Sequence, residues 1–119
     1  MEIKEIVAAI PMTNTERAIQ FYKNKLSLQV ETLSEKAGMY WVKANGSKFL
    51  LYKREANTKA EHTVISFTVE NVEQSIKELE TAGIEFYNDN GAKIFNLDGS
   101  RSAWFQDTEG NSLEISQRP

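Results

Sequence analysis

A chain of 119 residues has room for one domain with a substantial core and not for two independent ones. Its net charge of -3 argues against nucleic acid, which needs a basic surface to displace counterions from phosphate. With no cysteine there is no disulfide frame, thiol nucleophile or thiolate metal site, and the polar start at Glu2, Lys4 and Glu5 offers neither a secretory leader nor a membrane span, so a cytoplasmic protein is expected.

Ile3 to Pro11 is β-rich and mostly apolar, and Pro11 is expected to end its pairing for want of an amide hydrogen. Asn14 is a plausible N-cap, with Arg17 where a capping box would carry Glu or Gln, and Ala18, Ile19, Tyr22 and Leu26 recur at helical spacing. Leu28 to Leu33, Met39 to Ala44 and Ser47 to Lys53 are expected strands. The last two are joined by Asn45-Gly46, the pair that a two-residue type I′ turn favours. Arg54 to Glu61 is a polar linker. Thr63 to Val69 is a further strand, Asn71 caps a helix through Val72, Ile76 and Leu79 that stops at Gly83, and Ile84 to Tyr87, Arg101 to Asp107 and Asn111 to Ser116 complete the chain as strands.

This order is a repeat. Asn14-Thr-Glu-Arg-Ala-Ile19 overlies Asn71-Val-Glu-Gln-Ser-Ile76 at an offset of 57, and Asn45-Gly46 finds a counterpart in Glu109-Gly110 at an offset of 64, so the second copy carries seven extra residues, expected around Asn88 to Ser100. Two copies of a β-α-β-β-β unit related by a pseudo-twofold axis would set equivalent positions face to face and make a central cleft.

Two segments carry a family resemblance: Ile10-Pro-Met-Thr-Asn-Thr-Glu-Arg-Ala-Ile-Gln-Phe-Tyr22 with Leu26, and Trp104-Phe-Gln-Asp-Thr-Glu-Gly-Asn-Ser-Leu-Glu-Ile115. The chain resembles, over its whole length, the glyoxalase / bleomycin resistance / extradiol dioxygenase superfamily, also called the vicinal oxygen chelate fold. The resemblance implies an α+β fold: two tandem βαβββ modules, about 1–54 and 62–119, forming a curved mixed sheet around a central cleft, with the helices outside, in a single domain 1–119. It also implies homodimers, and it leaves isomerase, lyase, oxygenase, transferase and binding protein all open.

Enzymatic members of that superfamily hold a divalent metal with one residue on the first strand and one on the last strand of each copy. Those positions correspond here to Val7, Leu50, Val64 and Glu114. Three are aliphatic, and carbon cannot coordinate a metal, so no metal and no cofactor are expected. His62, the only histidine, stands two residues before Val64, and a two-residue misalignment is the way it could become a ligand.

Strand side chains alternate, so residues sharing a face with these four positions should line the cleft. Pairing through Asn45-Gly46 sets Trp41 opposite Leu50, and pairing through Glu109-Gly110 sets Phe105 opposite Glu114. The expected ligand-binding set is Trp41, Leu50, Tyr52, His62, Val64, Arg101, Phe105 and Glu114, an apolar and aromatic cup with one carboxylate and with a histidine and an arginine at its edge. Trp104 is assigned to the opposite face, under a helix. Blander readings stand beside these: Trp41 and Phe105 as core, Glu114 as a solvated strand residue or Arg101's partner, and His62 as exposed and idle. Asp107 and Asn111 are expected to shape the last hairpin.

Two functions follow. One is a metal-free protein that holds a small aromatic or cationic molecule. The other is a lyase or isomerase using Glu114 as general base, or with a metal.

Overall fold

The computed structural model describes residues 1–56 and 58–119; Asn57, within the expected linker, lies outside the described residues. Two helices and two open four-stranded mixed sheets make up an α+β fold of two βαβββ modules, and the chain divides into compact units Met1–Thr58 and Lys59–Pro119. No helix among the described residues is long and apolar enough to cross a membrane.

The first unit holds β1 (Ala9–Met12), α1 (Thr15–Gln20), β2 (Gln29–Ser34), β3 (Met39–Ala44) and β4 (Ser47–Lys53), in sheet order β1-β4-β3-β2. Strand β1 is shorter than Ile3 to Pro11: it begins where Ala9 meets Leu50 of the parallel β4, and Ile3 and Ile6 ahead of it are exposed. Pro11 does not end the strand. Leu50 N–H donates to Ala8 C=O (2.9 Å) and Arg54 N–H to Met12 C=O (2.8 Å), so even-numbered residues face β4 and the proline nitrogen points to the open edge, where no donor is needed.

Asn14 Oδ1 accepts the Arg17 N–H (3.0 Å), the expected cap, and α1 then widens into a π-helical turn over Phe21–Lys25. Tyr22 from that turn is fully buried and meets Phe49 edge to face at 5.5 Å. This seats the helix on the sheet face of Ile10, Val42, Phe49 and Leu51. Asn45 and Gly46 both have positive φ (46° and 80°), as a type I′ turn requires, and Trp41 pairs with Leu50 as expected.

The second unit holds β5 (Ala60–Thr68), α2 (Val72–Thr81), β6 (Phe95–Leu97), β7 (Ser100–Gln106) and β8 (Asn111–Gln117), in order β5-β8-β7-β6. Asn71 caps α2 through the Gln74 N–H (2.9 Å), and Val72 and Ile76 are buried. Gln117 Oε1 accepts the Val72 N–H (2.9 Å) and Arg101 pairs with Glu73, so α2 covers the face of Arg101, Ala103, Phe105, Leu113 and Ile115.

In this second unit three expectations need correction. Strand β5 starts at Ala60, inside the expected linker, and carries register shifts between Ala60 and Thr63 and between Thr63 and Ile65, which break simple alternation around His62 and Val64. The expected strand Ile84 to Tyr87 reduces to a bridge between Phe86 and Phe105, with the Tyr87 N–H donating to Trp104 C=O (2.7 Å). Strand β6 then resumes the edge, turned into β7 by Asp98-Gly99, both at positive φ.

The third correction bears most on function. The loop between β7 and β8 has three residues, Thr108-Glu109-Gly110, closed by the Asp107 N–H donating to Asn111 C=O (3.0 Å), with Gly110 at φ +85°. It is one residue longer than Asn45-Gly46, so the copies are offset by 63 before the turn (Trp41 to Trp104) and by 64 after it (Leu50 to Glu114). Trp104, not Phe105, pairs with Glu114. Asp107 holds the loop as expected: its Oδ1 accepts the N–H groups of Glu109 (2.8 Å) and Asn111 (2.9 Å), and its Oδ2 accepts the Asn111 side-chain amide (2.8 Å).

Candidate functional site

Each sheet has one face turned away from its helix, and these faces carry Trp41, Leu50 and Tyr52 in the first unit and Glu114 in the second. In the first unit that face presents Met39 opposite Tyr52 and Trp41 opposite Leu50, all half-buried. Four apolar or aromatic groups therefore sit side by side as sheet geometry demands of positions two apart. Around them is a charged border. Lys48 Nζ lies 4.2 Å from the centre of the Trp41 ring, within cation–π range, and Lys43 Nζ meets Glu31 Oε2 at 2.6 Å. The hydrogen bond from Lys43, then the charges of Lys43 and Lys48, hold the Glu31 carboxyl below its ordinary value.

In the second unit the corresponding face is centred on Glu114, flanked by Ser66 of β5 and Trp104 of β7. Along β8 its same-face neighbours are Ser112 and Ser116, and Ser116 accepts a hydrogen bond from the buried Ser102 hydroxyl (3.1 Å). Glu114 is half-buried, and among the described residues no cation lies within ion-pairing distance of it.

Trp104 is pinned. Its indole N–H donates to Thr63 Oγ1 (2.9 Å), which leaves the ring faces as its remaining means of contact. From Trp104 a row of rings runs along the edge: Phe95 at 5.8 Å between centres, then Tyr87 at 5.9 Å from Phe95. Tyr87 is more than half exposed, so the row is anchored at the carboxylate end and open at the other.

The expected set is thus divided. Trp41, Leu50 and Tyr52 lie together in one unit, and Glu114 lies in the other. Phe105 is buried on the helix face, ring to ring with Phe86 at 5.3 Å. Arg101 is on that same face, where its hydrogen bond to Glu73 lowers the Glu73 carboxyl and raises the guanidinium. Both were misassigned for one reason, the extra residue in the β7–β8 loop, which shifts every β7 side chain to the other face. His62 is exposed, and at the β5 bulge Thr63 reaches the Trp104 face, taking the part that alternation gave to Val64.

Trp104, Phe95, Tyr87 and Thr63 are the residues that sequence reasoning missed. The Asp98-Gly99 dipeptide was the available signal for β6, and with it for Phe95. The β5 bulge leaves no such mark.

The superfamily's metal requires oxygen or nitrogen donors, and the chain does not fit it. Val7, Leu50 and Val64 offer none, Glu114 offers one carboxylate, and among the described residues no three His, Cys, Asp or Glu side chains gather where they could hold an ion.

The family model for the Glyoxalase/Bleomycin resistance protein/Dioxygenase superfamily matches residues 5–115. No curated protein sequence matches the chain. Among solved structures, an integron cassette protein from the mobile metagenome of the Halifax Harbour sewage outfall superposes with a TM-score of 0.77 at 24% identity, over 97% of this chain and 99% of that one. TnmS3, an antibiotic binding protein from Streptomyces sp. CB03234, gives 0.77 at 16% identity over 100% and 99%. A virulence protein from Salmonella typhimurium gives 0.73 at 21% identity over 100% of each chain. At these identities the likeness is one of fold.

Proposed function

The chain belongs to the glyoxalase/bleomycin resistance protein/dioxygenase superfamily, and we propose that within it this protein binds a small aromatic or cationic molecule without a metal. The observation that carries this reading is the make-up of the helix-free faces. They set Trp41, Tyr52 and Leu50 inside a border of Lys43, Lys48 and Glu31, and Trp104 with Phe95 beside Glu114, the single superfamily ligand position that retains a donor. Rings supply contact area at low entropic cost, a carboxylate and a row of serines supply orientation, and no set of donors supplies Lewis acid chemistry. TnmS3, an antibiotic binding protein of the same fold, is in keeping with such a use.

A thermal-shift screen of purified protein against small aromatic and cationic compounds tests the proposal. A concentration-dependent rise in melting temperature with a subset of the panel is expected, since a ligand that binds the native state alone stabilises it in proportion to the logarithm of its concentration. A flat response across the panel contradicts it.

We further propose a homodimer. Edge strands β2 and β6 are open within their units, and the exposed Ile3 and Ile6 extend from β1, all features that association would cover. Light scattering should return about twice 13.5 kDa at micromolar concentration, and a value near 13.5 kDa is the contrary result.

A further inference from the structure

The internal repeat provides its own control on what belongs at Trp104. Strand pairing makes Trp41 and Trp104 equivalent, each directly across from the same last-strand position, Leu50 in the first copy and Glu114 in the second. Two residues before that position stands Lys48 in the first copy and Ser112 in the second. In the first copy the ammonium of Lys48 lies over the Trp41 ring at 4.2 Å, so the π face is satisfied by a cation that the chain supplies. In the second copy the lysine has become a serine, and the leucine has become a carboxylate. Here the ring is pinned through Thr63, has no cation over its face among the described residues, and faces the carboxylate of Glu114, whereas the anion opposite Trp41, Glu31, is already paired with Lys43.

From this substitution pattern we propose that the Trp104–Glu114 pair is a receptor for an organic cation, an alkylammonium or similar group carried by a molecule with an aromatic portion. The proposal rests on the small-molecule reading above and narrows it to one face and one ligand class. The charge is complementary: among the described residues that strand pairing sets on this face, which include Ser66, Ser102, Trp104, Gln106, Ser112 and Ser116, no side chain other than that of Glu114 is ionisable. Arg101, the nearest cation along β7, lies on the opposite face and is committed to Glu73. The cation sits against the Trp104 face with its charge directed to Glu114, and the aromatic portion follows the row through Phe95 to the exposed Tyr87.

The chain's two tryptophans give the assay a direct signal. The indole N–H resonance of Trp104, identified by its absence in Trp104→Phe, is followed by NMR during titration with benzyltrimethylammonium, with benzyl alcohol as the uncharged comparison. The expected result is a saturable shift at about 1 mM or tighter for the cation, with the alcohol at least about fivefold weaker. Glu114→Gln should weaken the cation at least about fivefold, and added salt should weaken it in the wild type more than in the variant. Ser112→Lys, which installs the first copy's lysine, should abolish the response by placing an ammonium on the ring. Should that variant fail to fold, Glu114→Gln carries the test by itself.

Equal binding of the alcohol, or cation binding unchanged in a folded Ser112→Lys or in Glu114→Gln, overturns the proposal. No response to the cation from a protein that is stabilised by other compounds of the thermal-shift panel also overturns it and leaves the broader reading standing, whereas no response to any compound removes both.

Discussion

Phe105→Ala should cost about 3 to 5 kcal/mol of stability and leave the surviving folded protein able to bind its ligand, while Trp104→Ala, one residue away, should do the reverse. The contrast follows from which face each ring occupies. Phe105 is 3% exposed, edge to face with Phe86 on the α2 side of the sheet, so its removal opens a cavity that neighbouring side chains fill only in part. Trp104 is half-buried on the face turned away from α2, held by one hydrogen bond to Thr63. Its loss costs that bond and part of its contact area, about 1 to 2 kcal/mol. Urea denaturation midpoints, paired with titration of a ligand drawn from the thermal-shift panel, separate the two effects. If Phe105→Ala is mild and Trp104→Ala unfolds the protein, the faces have been exchanged and the binding surface described for the second unit does not exist.

Asp107→Ala should be at least as damaging as Phe105→Ala, although it removes no apolar area. One buried carboxylate accepts from the backbone N–H groups of Glu109 and Asn111 and from the Asn111 amide, and Glu109 and Asn111 are themselves buried. Hydrogen bonds to a charged acceptor contribute about 1.5 to 3 kcal/mol each, and here truncation strands three donors together, so a loss of about 3 to 5 kcal/mol is expected. Asp107→Asn is the sharper companion. It keeps the shape but turns one acceptor into a donor aimed at the Asn111 amide, and should fall between wild type and Asp107→Ala. Because this loop sets the β7–β8 register, a folded variant should also show a displaced Trp104 indole resonance. Near-neutral substitution at Asp107 would mean that the register is held elsewhere, by the core side chains alone.

Those two residues also show how far this fold was legible from residues. The duplication, the helix caps at Asn14 and Asn71 and the Asn45-Gly46 hairpin were all readable because each rests on local chemistry: an Asn side chain that accepts a backbone N–H, or a residue pair that tolerates positive φ. The β7–β8 hairpin resisted because Glu109-Gly110 mimics the two-residue pattern, while the true loop has three residues with the glycine as its bulge. A one-residue error in a turn has a period-two consequence, and it moved Arg101, Phe105 and Trp104 together. Strand β6, marked by Asp98-Gly99, falls inside the segment expected as the loop of the seven extra residues. The bulges in β5 are different: nothing in Glu61-His-Thr-Val64 distinguishes an extended strand from a bulged one, because the bulge is defined by the register with β8 and not by local residue chemistry.

The superfamily site shows the same division. That Val7, Leu50 and Val64 cannot ligate a metal is a matter of element chemistry and needs no coordinates. That Trp104 stands beside Glu114, with Phe95 and Tyr87 in line behind it, depends on register and edge pairing, and only the fold brings it out.

Calorimetric titration of a ligand from the thermal-shift panel into protein dialysed against a strong chelator, with the metal content of the same sample determined by elemental analysis, tests metal-free binding most directly. Far less than one metal per chain, together with binding heat and affinity unchanged by dialysis, is the predicted result. Binding that disappears with the chelator and returns with stoichiometric zinc, nickel or iron, held through Glu114 and His62, would contradict it.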